Sequence, residues 1–69
     1  MTLEDILSRV AEIKAASEAD DLPSAHIQED SLYEDFIWAI AEGTLEGDVV
    51  ECATAISVVS DFDFPRWYE

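Results

Sequence analysis

Residues 31–43 read SLYEDFIWAIAEG, and wound at 3.6 residues per turn they set Leu32, Tyr33, Phe36 and Ile40 on one stripe with Ala39 beside it. That is the apolar face an amphipathic helix turns to a core, so the segment is expected to be the central helix of an all-α chain. Glu34, Asp35 and Glu42 fall on the other side. Trp38 falls among them: Glu34 lies four residues before it, Asp35 three before and Glu42 four after, spacings that make surface neighbours on a helix. Two readings of Trp38 stay open. It is an anchor for a partner if it faces water, or a packing residue if a second subunit or the chain's own tail covers it.

Upstream, Pro23 disfavours helix in the residue before it, so the helix is expected over about 24–42, with Ala25 and Glu29 near the core stripe and His26 at its edge. Ser31 with Glu34 forms an S-x-x-E capping box and offers a later start. The longer helix is preferred because the later start leaves a loop of roughly fourteen residues, long for so small a domain. Before it, SEADDLP at 17–23 reads as an acidic loop. It lacks both the glycine and the alternating acids of a calcium loop. Helix one is expected over about 2–16. Thr2 is its cap, Asp5 sits at the capping-box position, Met1 is placed to staple against Ile6, and Leu3, Ile6, Leu7, Val10 and Ile13 form its stripe. Asp5 and Arg9 stand at the i,i+4 spacing of an ion pair.

Downstream, Gly43 suits a helix C-terminus, and Asp48 with Glu51 opens helix three, expected over about 48–60. Thr44 offers a start one turn earlier. Leu45, Val49, Cys52, Ala53, Ile56 and Val59 share one stripe, while the other side carries Val50, Ala55 and Val58 with little polarity, so both faces are expected to be buried. A rival reading makes 56–64 a strand, because Ile56, Val58, Phe62 and Phe64 alternate. A lone strand has no pairing partner within a helical chain, so the all-helical reading is kept. The tail, DFDFPRWYE at 61–69, gathers Phe62, Phe64, Trp67 and Tyr68 around Pro65. It is expected to fold back over the open end of a small three-helix bundle, with Arg66 on a carboxylate or on Trp67. An exposed recognition segment is the alternative.

At 69 residues the chain forms a single acidic helical domain, 1–69, that buries only about 60% of its unfolded surface. Small domains usually gain stability from a disulfide, a metal or a second subunit. One cysteine, Cys52, and one histidine, His26, make neither an internal disulfide nor a Cys/His metal site, which leaves a homo-oligomer, in the simplest case a homodimer. Val50, Ala55 and Val58 are the expected self-association residues. No cofactor is implied. The same inventory argues against an enzyme: no nucleophile stands beside a base, and a bundle this small has little room for a cleft that would desolvate a carboxylate. No apolar run reaches a membrane span, and Glu4 and Asp5 stand where a signal peptide carries basic residues, so the protein is expected in the cytoplasm.

Seventeen acidic residues face only Arg9, Lys14 and Arg66, a formal charge of −14. Nucleic acid and anionic membranes repel such a chain, and basic proteins attract it. The expected function is an interaction protein that binds a basic surface through Glu34, Asp35, Trp38 and Glu42, as an inhibitor or nucleic-acid mimic. A basic partner that itself binds nucleic acid fits best. The alternative is a self-associating structural or adaptor module whose acidity serves only solubility. The ending Asp63, Phe64, Pro65, Arg66, Trp67 resembles the D-F-x-R-W ending of short uncharacterised actinobacterial and phage proteins. That resemblance implies a bacterial or phage origin, where small acidic helical proteins often occupy another protein's binding site.

Overall fold

Thr2 starts the first helix as its sequence predicts. The Thr2 hydroxyl accepts from the Asp5 N–H at 3.1 Å and the Asp5 carboxylate accepts from the Thr2 N–H at 2.9 Å, a complete capping box. The computed structural model describes residues 1–62, and the expected fold-back of the aromatic tail at 63–69 lies outside the described residues. Helix α1 spans Leu3–Glu18 and buries Ile6, Val10 and Ile13. Leu7, expected on the same stripe, is half exposed. With Asp5 committed to the cap, the expected Asp5–Arg9 pair does not form; Arg9 reaches helix two instead.

The acidic linker is shorter than expected, because α1 continues through Ser17 and Glu18 and helix α2 begins at Leu22. Asp20 makes the reversal at φ 62°, in the left-handed region that Asp tolerates better than most residues. Pro23 then lies in the first turn of α2, where its missing N–H costs nothing. Helix α2, Leu22–Glu42, is continuous through Ser31 and buries Ala25, Glu29, Leu32 and Ala39. Gly43 ends it at φ 73°, ψ 23°, a conformation that only a residue without Cβ adopts freely. Asp48 caps helix α3, Val49–Ser57, accepting from the Val50 N–H at 2.8 Å. The chain then tightens into a 3-10 turn, Val58–Asp61, so the expected 48–60 helix is two kinds of helix in sequence and not a strand.

The architecture is a small all-α three-helix bundle, with one revision of the expected plan. The central helix is α1, not α2: α1 packs against α2, α3 and the 3-10 turn, and among the described residues no comparable interface joins α2 to α3. The start of α1 is tied to the turn that opens α3, since the Met1 nitrogen donates to the Thr44 carbonyl at 3.1 Å and the Glu46 N–H donates to the Met1 carbonyl at 2.8 Å. Its other end, at Lys14, Ser17 and Glu18, shares a cleft with Asp61 and Phe62. Helix α3 therefore runs parallel to α1, and α2 runs antiparallel to both. The core is Ile6, Val10 and Ile13 of α1 against Ala25 and Leu32 of α2, and against Cys52, Ile56 and Val59.

Covering from one side only explains two more departures. Ile40, assigned to the core stripe, is 44% exposed, because it lies on the flank of α2 turned away from α1. Helix α3 buries one face rather than two: Cys52 and Ile56 are inside, while Val49, Val50, Ala53 and Val58 remain open and Ala55 is half-buried. Leu45 lies in the loop before α3, half-buried, rather than on its stripe. Among the described residues no helix is long and apolar enough to cross a membrane.

Candidate interaction surface

Arg9 sets the rotation of α2 about its own axis. Its guanidinium donates to the Asp35 carboxylate at 2.8 Å and to the Ser31 hydroxyl at 3.2 Å, a fork that holds one flank of α2 against α1. Leu32 meanwhile fills the core with no exposure. With those two contacts fixed, residues on the far side of α2 must face water. Trp38 is 57% exposed and Ile37 is 65% exposed, and Ala41, Glu34 and Glu42 are exposed with them.

Of the four residues expected to bind a partner, Glu34 and Trp38 share this outer face, and Glu42, seven residues after Asp35 and so about 20° from it, stands exposed at the Asp35 edge of the face. Glu34 and Glu42 flank Trp38 and, among the described residues, carry no ion pair. Asp35 differs, because it is on the flank toward α1 and its charge is compensated by Arg9. What the sequence reading missed is Ile37 and Ala41. Ile37 is about 140° around from Leu32 at about 100° per residue, and that angle alone places it outside the core. Together with Trp38 and the half-exposed Ile40 they turn a tryptophan among acids into an apolar patch with an acid at either end along the helix.

The expected self-association residues are not a single stripe. Val50 is 72% exposed and Val58 is also open, whereas Ala55 is half-buried between α3 and the core. Elsewhere, among the described residues, the interior holds one carboxylate: Glu29 is 3% exposed and accepts from the Tyr33 hydroxyl at 3.1 Å, with His26 half-buried one turn earlier on the same helix. The cleft at the far end of the bundle encloses about 320 Å³ and is open, with Lys14 facing Glu18 and Asp61. Asp5 is held ionised below its ordinary value of 3.8, first by the Thr2 N–H and then by the Thr2 side chain. Among the described residues no three His, Cys, Asp or Glu side chains are grouped to hold a metal ion.

Comparison with protein-family models, with curated proteins and with solved structures returned no match to this chain.

Proposed function

We propose that this chain is a small acidic interaction protein that binds a basic protein surface, as an inhibitor or nucleic-acid mimic of the kind a phage deploys. The observation that carries this reading is Trp38, more than half exposed on a helix whose inner face packs on the core, with Glu34 and Glu42 one turn to either side of it and without an ion pair among the described residues. A large aromatic left mostly in water among charges gives little to folding, and such residues are the usual energetic centres of interfaces. A net charge of −14 adds long-range attraction to basic partners and suppresses wrong ones. Asp35 contributes by orienting α2 through Arg9, while Glu34 and Glu42 supply the free charge.

Affinity capture from the natural host tests the reading. Basic, nucleic-acid-binding proteins are expected to be captured at low salt and released steeply as salt rises, with Glu34→Lys and Glu42→Lys slowing association. Capture that is indifferent to salt and to both reversals would refute it.

A second reading has its own observation: Val49, Val50 and Val58 leave α3 with an open apolar side. On that reading the protein self-associates through α3, and Val50→Ser should convert a dimer at micromolar concentration into a monomer in sedimentation. A folded wild-type monomer of 7.7 kDa would exclude it.

A further inference from the structure

The outer face of α2 separates the two modes of binding a basic surface. A nucleic-acid mimic needs closely repeated negative charge, because duplex DNA carries one charge per about 1.7 Å of its axis. On α2, Glu34 and Glu42, which carry no ion pair among the described residues, are eight residues apart, about 12 Å along the helix at 1.5 Å per residue. Along the axis Ile37, Trp38 and Ala41 lie between them, and the acid that intervenes in sequence, Asp35, is turned to the flank and neutralised by Arg9. A phosphate ladder is thus interrupted where contact would be closest.

We propose, resting on the basic-surface reading above, that this face docks a basic amphipathic helix of another protein, seating its apolar stripe on Ile37, Trp38 and Ala41 between two Lys or Arg residues that meet Glu34 and Glu42. Three features fix that occupant. The face is one side of a regular helix, and its rows of side chains three and four apart pack best into the grooves of another helix. Along the axis its apolar centre has a carboxylate at either end, the anatomy of an interface in which the centre supplies affinity and the charged ends supply selectivity. A partner helix with basic residues about eight positions apart matches the 12 Å interval at the same rise per residue. A second copy of this chain does not fit here, because two such faces would bring Glu34 and Glu42 onto their counterparts between chains of −14 each. A lipid surface of anionic headgroups is repelled by the same acids.

The test uses two synthetic probes of equal positive charge, titrated calorimetrically into the full chain at about 0.15 M salt: a Leu/Lys peptide with helical amphipathic spacing, and an oligolysine. The amphipathic peptide is expected to bind at least about ten-fold more tightly than the oligolysine. Trp38→Ala and Ile37→Ser should each weaken it strongly, about 30-fold for Trp38→Ala, the loss typical of an interface anchor. Trp38→Phe should restore most of the affinity. Val50→Ser on α3 should leave it unchanged, and oligolysine binding should be indifferent to all four substitutions. Circular dichroism identifies any variant that fails to fold, and Ile37→Ser serves if Trp38→Ala does. Equal binding of the two probes, or a loss with Val50→Ser as large as with Trp38→Ala, overturns the apolar docking face while leaving the basic-surface reading standing. If neither probe binds even at low salt, both fail.

Discussion

Replacing Trp38 by Ala removes the largest exposed side chain on α2, and the structure sets how little this should cost the fold. A fully buried tryptophan contributes about 150–250 Å² of covered surface, and Trp38, at 57% exposed, keeps less than half of that. At about 25 cal/mol per Å², some 100 Å² comes to about 2.5 kcal/mol as an upper bound. Residues three and four apart on a helix are surface neighbours, so Glu34, Asp35, Ala41 and Glu42 supply cover from within the helix itself. That cover persists in any helical state and does not distinguish the native bundle. Alanine also favours helix over tryptophan by up to about 0.7 kcal/mol. The net cost should be about 1 kcal/mol or less, which for a domain of this size shifts the melting temperature by at most about 4–8 °C. Leu32→Ala, on the core face of the same helix and with no exposure, is the internal standard and should cost about 2–5 kcal/mol. Thermal and urea unfolding followed by circular dichroism at 222 nm measure both. A Trp38→Ala cost of 3–5 kcal/mol, equal to that of Leu32→Ala, would mean that Trp38 is packed and that the outer face of α2 is not available to a partner.

Stability should rise between low salt and about 0.5 M, since screening relieves a charge of −14 while the described residues hold one inter-helix ion pair, Arg9–Asp35, to lose; a melting temperature that falls steadily would count against this. Arg9→Ala should cost about 1 kcal/mol or less, because both partners are partly exposed, yet should loosen the rotation of α2, visible as altered amide shifts around Asp35 in NMR spectra. Tyr33→Phe removes a donor from the buried Glu29 carboxylate and should cost about 1.5–3 kcal/mol by urea unfolding; no change would show that the bond is not formed in solution. For Asp5 the folded value is depressed, so its contribution is fully present above the ordinary value of 3.8 and is lost as pH falls through the lower folded value. Acid titrations of the wild type and Asp5→Asn should therefore converge only once the pH has fallen below the depressed folded value, and parallel curves at every pH would argue against the Thr2 N–H bond to the Asp5 carboxylate.

The helices were legible because their ends carry strong local chemistry. Thr2 with Asp5, Gly43, and Asp48 each act within a few residues, and the structure uses each as its residue type predicts. Where the sequence reading went astray, the missing information was tertiary. Ile40 and Leu7 satisfy the spacing of a core stripe, but spacing cannot tell how wide a stripe the neighbouring helices cover, and α1 covers α2 from one side only. The Asp5–Arg9 pair failed for a related reason. An i,i+4 attraction of about 0.2–0.5 kcal/mol is weaker than a cap for Asp5 and a forked contact with Asp35 and Ser31 for Arg9. The candidate face was half legible. Trp38 and its acids stood out by composition, whereas Ile37 and Ala41 gained meaning only once Leu32 and Arg9 had fixed which way α2 faces.

The placing of α1 between two helices that scarcely meet shapes how the molecule opens. Helix α3 is short and is held mainly through Cys52, Ile56 and Val59 on one side, together with the Thr44–Glu46 tie to Met1. Its departure would uncover one side of the α1 core while leaving the larger α1–α2 interface in place. Native-state hydrogen exchange should accordingly resolve two cooperative units, with amides of α3 exchanging through a partial opening of lower free energy and those around Ile13 and Leu32 only through global unfolding. In such a molecule the outer face of α2 rides on the more protected unit and stays shaped while α3 comes and goes.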